Sequence, residues 1–205
     1  MRLIRNRENR RLVEIVGESR FIASTDLYRI DGRSRQVLSG VVRQLRHAGH
    51  LPIVSSAQRL PPTFYPKKTY IYGSGKRGHI VHWLYTAHLR ALFVVSAREA
   101  GAVMTWRQSS KHNARIPDAV IELNDRTYKL EVDNSTEGMR LDRLAGKVDA
   151  DTLVVAFHSE ARFQNLAGLG GLASWHGFFH DLEEQGFNIL TEKCWWNGDG
   201  WVALL

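Results

Sequence analysis

In the first fifty residues, apolar side chains recur three times at helical spacing. Leu12, Ile15 and Val16 make the stripe of a helix expected over about Glu8–Gly17. A shorter helix is expected to start at Ser24 or Thr25, either of which carries an oxygen able to cap free amides, and to stop before Asp31-Gly32. The third, about Ser34–Ala48, sets Val37, Leu38, Val41, Val42 and Leu45 toward a core. Its other face carries Arg35, Gln36, Ser39, Arg43, Gln44 and Arg46, and Gly49 follows as a stop. Leu51–Val54 and Thr69–Gly73 are expected to pair as a two-stranded wing around a proline-containing loop with Arg59, Lys67 and Lys68. Two short helices, a polar turn, a basic third helix and a wing predict a winged helix-turn-helix.

The pattern then changes. A long helix is expected over roughly Gly78–Ala100, where Ile80, Leu84, Ala87 and Ala91 recur at helical spacing. Three strands follow, Val103–Trp106, Ala119–Leu123 and Thr127–Asp133, with Asn124-Asp125-Arg126 turning between the last two. Met139–Val148 is expected to be a helix and Thr152–Phe157 a buried strand. A later helix near Ser174–Glu184 precedes a hairpin of Asn188–Trp196 and Trp201–Leu205, turned by Asn197-Gly-Asp-Gly200. The predicted class is α/β in the broad sense (α+β), with domains over 1–78 and 79–205.

Charge separates the same two regions. Residues 1–78 hold 16 Lys and Arg against five Asp and Glu, a net +11, whereas 79–205 carry −4. A basic front half points to a polyanion, and nucleic acid is the first candidate. A membrane surface is a weaker candidate, because the basic residues lie on short mixed helices rather than on one long amphipathic helix; no apolar run reaches the roughly 18 residues of a span, and the charged N-terminus lacks the apolar stretch of a secretory signal. Cys194 is the only cysteine, so no disulfide frame or zinc-finger spacing exists, and a reduced, cytoplasmic setting is expected.

The chemistry concentrates in PDAVIELNDRTYKLEVD, residues 117–133. Strand alternation points Tyr128, Leu130 and Val132 one way and Lys129, Glu131 and Asp133 the other, with Asp118 able to reach the latter face. Asp118 and Glu131 are the minimal carboxylate pair for a hard cation such as Mg²⁺ or Mn²⁺, which activates water at a scissile phosphate. Lys147, or Lys129, would supply the cation beside the attacking water. Arg140, Arg143 and Lys147 share one face of the expected following helix. The competing reading is an ordinary hairpin whose strands carry alternating charge for solubility. The pairs His79/His82 and His176/His180 lack a third ligand, and Gly73-Ser-Gly75-Lys76 is too short for a phosphate-binding loop.

With these residues in view, the chain resembles the replication-relaxation family of plasmids and other mobile elements, from about Glu14 to Asn165. The resemblance runs through YIYGSGKRGHIVHWL, the helix ending REAG, Trp106, IPDAVIEL, KLEVDNSTEGMRLDRLAGK and VAFHSEARFQNLAG. It implies a winged helix joined to a nuclease-like αβββαβ domain of the PD-(D/E)XK class. It carries over Asp118, Glu131 and Asp133, with Thr136, Arg140 and Lys147 as companions. The active motif of that class ends Glu-X-Lys, while this chain reads Glu131-Val132-Asp133.

The expected function is a DNA-binding accessory protein of a mobile element, acting in replication, maintenance or relaxation. Arg33, Arg35, Gln36, Ser39, Arg43, Arg46, Lys67 and Lys68 form the expected contact set for double-stranded DNA. Alternatives are a metal-dependent nuclease or nickase, and a transcriptional regulator whose back domain forms a homodimer through Trp195, Trp196 and Trp201. Replication proteins are further expected partners.

Overall fold

The computed structural model describes residues 6–56, 69–74, 79–109, 116–133, 148–156, 160–167, 175–178, 182 and 188–205. The chain is mixed α+β and divides into two units, Met1–Ala91 and Leu92–Leu205, so the division falls inside a helix.

The first unit starts with α1 (Arg7–Ser19), where the Asn6 side chain accepts the Glu8 amide at 2.9 Å and Leu12, Ile15 and Val16 are buried. A short strand absent from the sequence reading, β1 (Phe21–Ala23), leads into α2 (Ser24–Asp31). Ser24 does not cap α2, as had been expected. Its hydroxyl accepts the Tyr70 amide at 3.3 Å and ties the helix to a strand instead. In α3 (Arg35–His47) the Ser34 hydroxyl accepts the Val37 amide, and Leu38, Val42 and Leu45 are buried. Strands β2 (Ile53–Ser56) and β3 (Tyr70–Gly73) pair antiparallel, and β3 lies between β2 and β1. Phe21, Ile71, Ile80, Trp83 and Leu84 form a core cluster here.

The third helix departs from its expected pattern at Val37, which is 55% exposed rather than buried. A position 100° around the helix per residue separates it from the Leu38–Val42–Leu45 stripe.

Helix α4 (Ile80–Glu99) is long and apolar enough, by length and composition, to cross a membrane, and most of it is buried within the protein. His88 and Arg90 on it have partners within the first unit. In the first unit His88 Nδ1 lies 2.9 Å from Asp26 Oδ1, and Arg90 donates to Ser19 at 3.2 Å and Glu18 at 2.7 Å. Burial lowers the Arg90 pKa, and the Glu18 carboxylate opposes that shift.

The second unit is built on a seven-stranded sheet. Its strands are β4 (Met104–Gln108), β5 (Ala119–Leu123), β6 (Arg126–Asp133), β7 (Thr152–Ala156), β8 (Trp175–Phe178), β9 (Trp195–Trp196) and β10 (Trp201–Val202). They lie side by side in chain order. β4, β5 and β6 are antiparallel; β6, β7 and β8 are parallel; β9 and β10 return antiparallel. Asn124 takes φ 51° in the β5–β6 turn, a left-handed conformation that Asn tolerates. Phe93 packs 6.0 Å from the Trp106 ring and 5.8 Å from that of Trp195.

Two elements correct the sequence reading. Residues 175–178 are a strand where a helix near Ser174–Glu184 was expected. A helix, α5 (Glu160–Ala167), forms where the sequence pattern predicts no regular element. Eight residues with one short apolar stripe give little periodic signal, and a central position in a sheet overrides local propensity. The helix expected over Met139–Val148 lies outside the described residues.

Gly73 sits at φ +147°, and a Cβ there would lie 1.9 Å from the Arg20 carbonyl oxygen. Gly73→Ala is therefore expected to destabilise the protein by about 3 kcal/mol, through overpacking on backbone that cannot yield. Gly17→Ala, in an exposed part of α1 where an added Cβ meets nothing within 4 Å, should stabilise it by about 0.5–1 kcal/mol. Urea unfolding of the two variants reads the opposite signs.

Candidate nucleic-acid interface and acidic centre

Burying Leu38, Val42 and Leu45 turns the opposite side of α3 outward. Arg35, Gln36, Val37, Ser39, Arg43, Gln44 and His47 are exposed there. The helix contains no acidic residue. Among the described residues no ion pair neutralises Arg35 or Arg43, and both are exposed to solvent.

The remaining arginines of the expected contact set behave differently. Arg46 is half-buried, with its guanidinium carbon 5.1 Å from the Tyr70 ring centroid. It also hydrogen-bonds Tyr72, whose phenol burial pushes up to about 12. Burial raises the Tyr28 phenol too, against the lowering effect of Arg35 and Arg46. Arg46 is thus held in place by aromatic neighbours.

Arg33, expected in the DNA contact set, has carboxylate partners within the first unit. Its Nε and one terminal nitrogen grip Asp31 at 2.6 and 3.0 Å, and the other terminal nitrogen reaches Glu8 at 2.9 Å. This planar fork ties the turn before α3 to α1, and two carboxylates already match its charge. Lys67 and Lys68 lie outside the described residues.

In the second unit, the β5–β6 hairpin pairs Ala119 with Leu130, and Asp118 and Glu131 are the next residues along the two strands. The Asp118 amide donates to Leu130 O at 2.9 Å, and its carboxylate accepts the buried Val132 amide at 2.8 Å. Asp118, Glu131 and Asp133 are all buried. Glu131 and Asp133 share one face of β6 by strand alternation.

Asp133, the last residue of β6, meets Arg162 of α5 with Nε 2.6 Å from Oδ2, and only 2% and 6% of the two side chains are exposed. The sequence predicts such a cation among Arg140, Arg143 and Lys147 of an expected helix. Those three, and Thr136, lie outside the described residues. Arg162 was missed because α5 itself was not foreseen. Its only signal was a lone basic residue shortly after a buried strand.

Lys129, the other expected cation, turns to Asp149, and that contact holds the Asp149 carboxyl below its ordinary range. Both partners are largely solvent-exposed, so this surface pair adds little stability.

A hard cation takes six or more oxygen ligands. Asp118 has one oxygen engaged by an amide, and Asp133 is engaged by Arg162. Among the described residues no group of three His, Cys, Asp or Glu side chains is placed to hold a metal ion. The described residues therefore bring no third such ligand to Asp118 and Glu131, and an ion held there would take its other oxygens from water or a phosphate.

Of the tryptophans expected at a homodimer interface, Trp195 is fully buried, and its Nε1 donates to Ile189 O at 2.7 Å. Trp201 is 41% exposed and stacks on Phe163 of α5 at 5.7 Å.

Removing one member of a buried ion pair leaves the other uncompensated. Asp133→Ala and Arg162→Ala should each cost about 3–5 kcal/mol, and the double variant clearly less than the sum of the two. A double-mutant cycle by chemical denaturation checks this; simple additivity would show that the pair is not coupled. Comparison with protein-family models, with curated proteins and with solved structures finds no match to this chain.

Proposed function

We propose that this chain binds double-stranded DNA through its first unit, as an accessory protein of a plasmid or other mobile element in replication, maintenance or relaxation. The observation that carries the reading is the exposed, acid-free face of α3, with Arg35, Gln36, Ser39 and Arg43 directed to solvent. Arginine and glutamine on one helix face suit base edges and phosphates in a major groove. Three helices followed by the antiparallel β2–β3 pair support a winged helix-turn-helix, with α3 as the groove-reading helix. The +11 charge of residues 1–78 supports the same partner. The setting in a mobile element rests on the sequence resemblance alone.

The second unit reads as a PD-(D/E)XK-like domain whose acids stabilise rather than cleave. Support comes from the strand order β4–β5–β6–β7 and from Asp133 at the place of the catalytic lysine, paired with Arg162. A second reading, a metal-dependent nuclease or nickase, is favoured by one observation: Asp118 and Glu131, both buried, adjoin the paired residues Ala119 and Leu130 on adjacent strands. There Asp118 and Glu131 would hold Mg²⁺ or Mn²⁺ and Lys147 would take the lysine's role.

Band shifts on duplex DNA should show affinity falling steeply with salt, with a log–log slope of about −0.9 for each phosphate neutralised. Arg43→Ala is expected to weaken binding by about 1–3 kcal/mol. Arg107→Ala, at an exposed arginine of β4 paired with Glu122, should change it little. Equal effects of the two substitutions would remove α3 as the contact surface. Supercoiled plasmid incubated with Mg²⁺ or Mn²⁺ should be bound and left intact. Nicking that disappears in Asp118→Ala would establish the second reading instead.

A further inference from the structure

Gly40 stands near the middle of the exposed face of α3, and a Cβ added there would meet nothing within 4 Å. A glycine inside a helix weakens it relative to alanine. Among the described residues no packing calls for a missing side chain at this point. The positions touching it on the helix surface are four and three residues to either side. They are Gln36, Val37, Arg43 and Gln44, and all four are exposed. Val37 is 55% exposed, an apolar side chain on an otherwise polar and basic face.

These four side chains match the chemistry of base edges. Glutamine pairs with adenine, arginine with guanine, and an aliphatic group with the thymine methyl. A glycine at their centre lets the helix backbone come closer to the groove floor than any residue with a Cβ would. The absence of acids on α3 fits a polyanion and disfavours an apolar protein partner for Val37.

We infer that the ring of Gln36, Val37, Arg43 and Gln44 around Gly40 is a sequence-reading surface, in which Gly40 sets the depth of approach and Val37 recognises a thymine methyl group in the major groove. The inference rests on the proposed reading of α3 as the DNA-contacting helix, and adds that the contact is sequence-specific.

The test begins with selection of preferred sites from a random-sequence duplex pool by the full-length protein. Each thymine of the selected site is then replaced in turn by uracil, which lacks only the methyl group. At one position wild-type affinity should drop about fourfold, the effect of one methyl withdrawn from water. Val37→Ala should bind the two duplexes alike. Gly40→Ala should lose about tenfold or more for the selected site while melting no lower than wild type, because the added methyl obstructs the groove and not the fold. Binding of the selected duplex unaffected by uracil at every position, or a Gly40→Ala protein that binds like wild type, overturns the inference. So does a selection that enriches no sequence. Arg43→Ala separates the two levels: if it too binds normally, α3 is not the contact surface at all, whereas a loss there with normal Gly40→Ala binding defeats only the reading surface.

Discussion

A helix buried on nearly every side must find partners for each polar group it carries, and α4 imposes that constraint on the fold. Twenty residues with a nearly continuous apolar surface also hold His82, Thr86, His88, Arg90 and Ser96, all buried. In the first unit Asp26 answers His88, and Ser19 with Glu18 answers Arg90. In the second, the Ser96 hydroxyl accepts the Leu190 amide at 3.1 Å. An unmatched polar group at any of these points would carry the full penalty of desolvation. The contacts therefore fix where α1, α2 and the turn at Leu190 stand against their own share of α4.

Arginine serves two separate purposes in the first unit. Arg33 and Arg90 are consumed by carboxylates and a hydroxyl and act as braces. Arg35 and Arg43 remain on the surface of α3, where the potential of a basic unit adds to their own charge. Arg46 falls between, fixed by tyrosines yet at the edge of the exposed face. A basic composition becomes a directed surface only because the acids of this unit take some arginines out of play and leave others.

The acids of β6 show the same logic inside the second unit. Burying Asp118, Glu131 and Asp133 near one strand end is unfavourable unless each finds a donor or a counter-charge. A backbone amide serves Asp118, and Arg162 serves Asp133. The Asp133–Arg162 pair anchors α5 to the sheet.

Helices α1 to α4 and strands β3 to β7 were legible in the chain because their apolar spacing is long, or their alternation clear. The basic face of α3 and the common side of Glu131 and Asp133 follow from period alone. Other features depend on groups far apart in sequence. Asp133 meets Arg162 across 29 positions, and Arg33 meets Glu8 across 25. The strand at 175–178 and the short β1 are too brief to show a clear alternation, and their pairing with neighbouring strands defines them. The exposure of Val37 was likewise decided by packing, since five apolar positions cover a wider arc than the core of this unit can accept. Local spacing determined which residues share a face. Which faces are covered, and which charges are answered, was settled only when the distant segments came together.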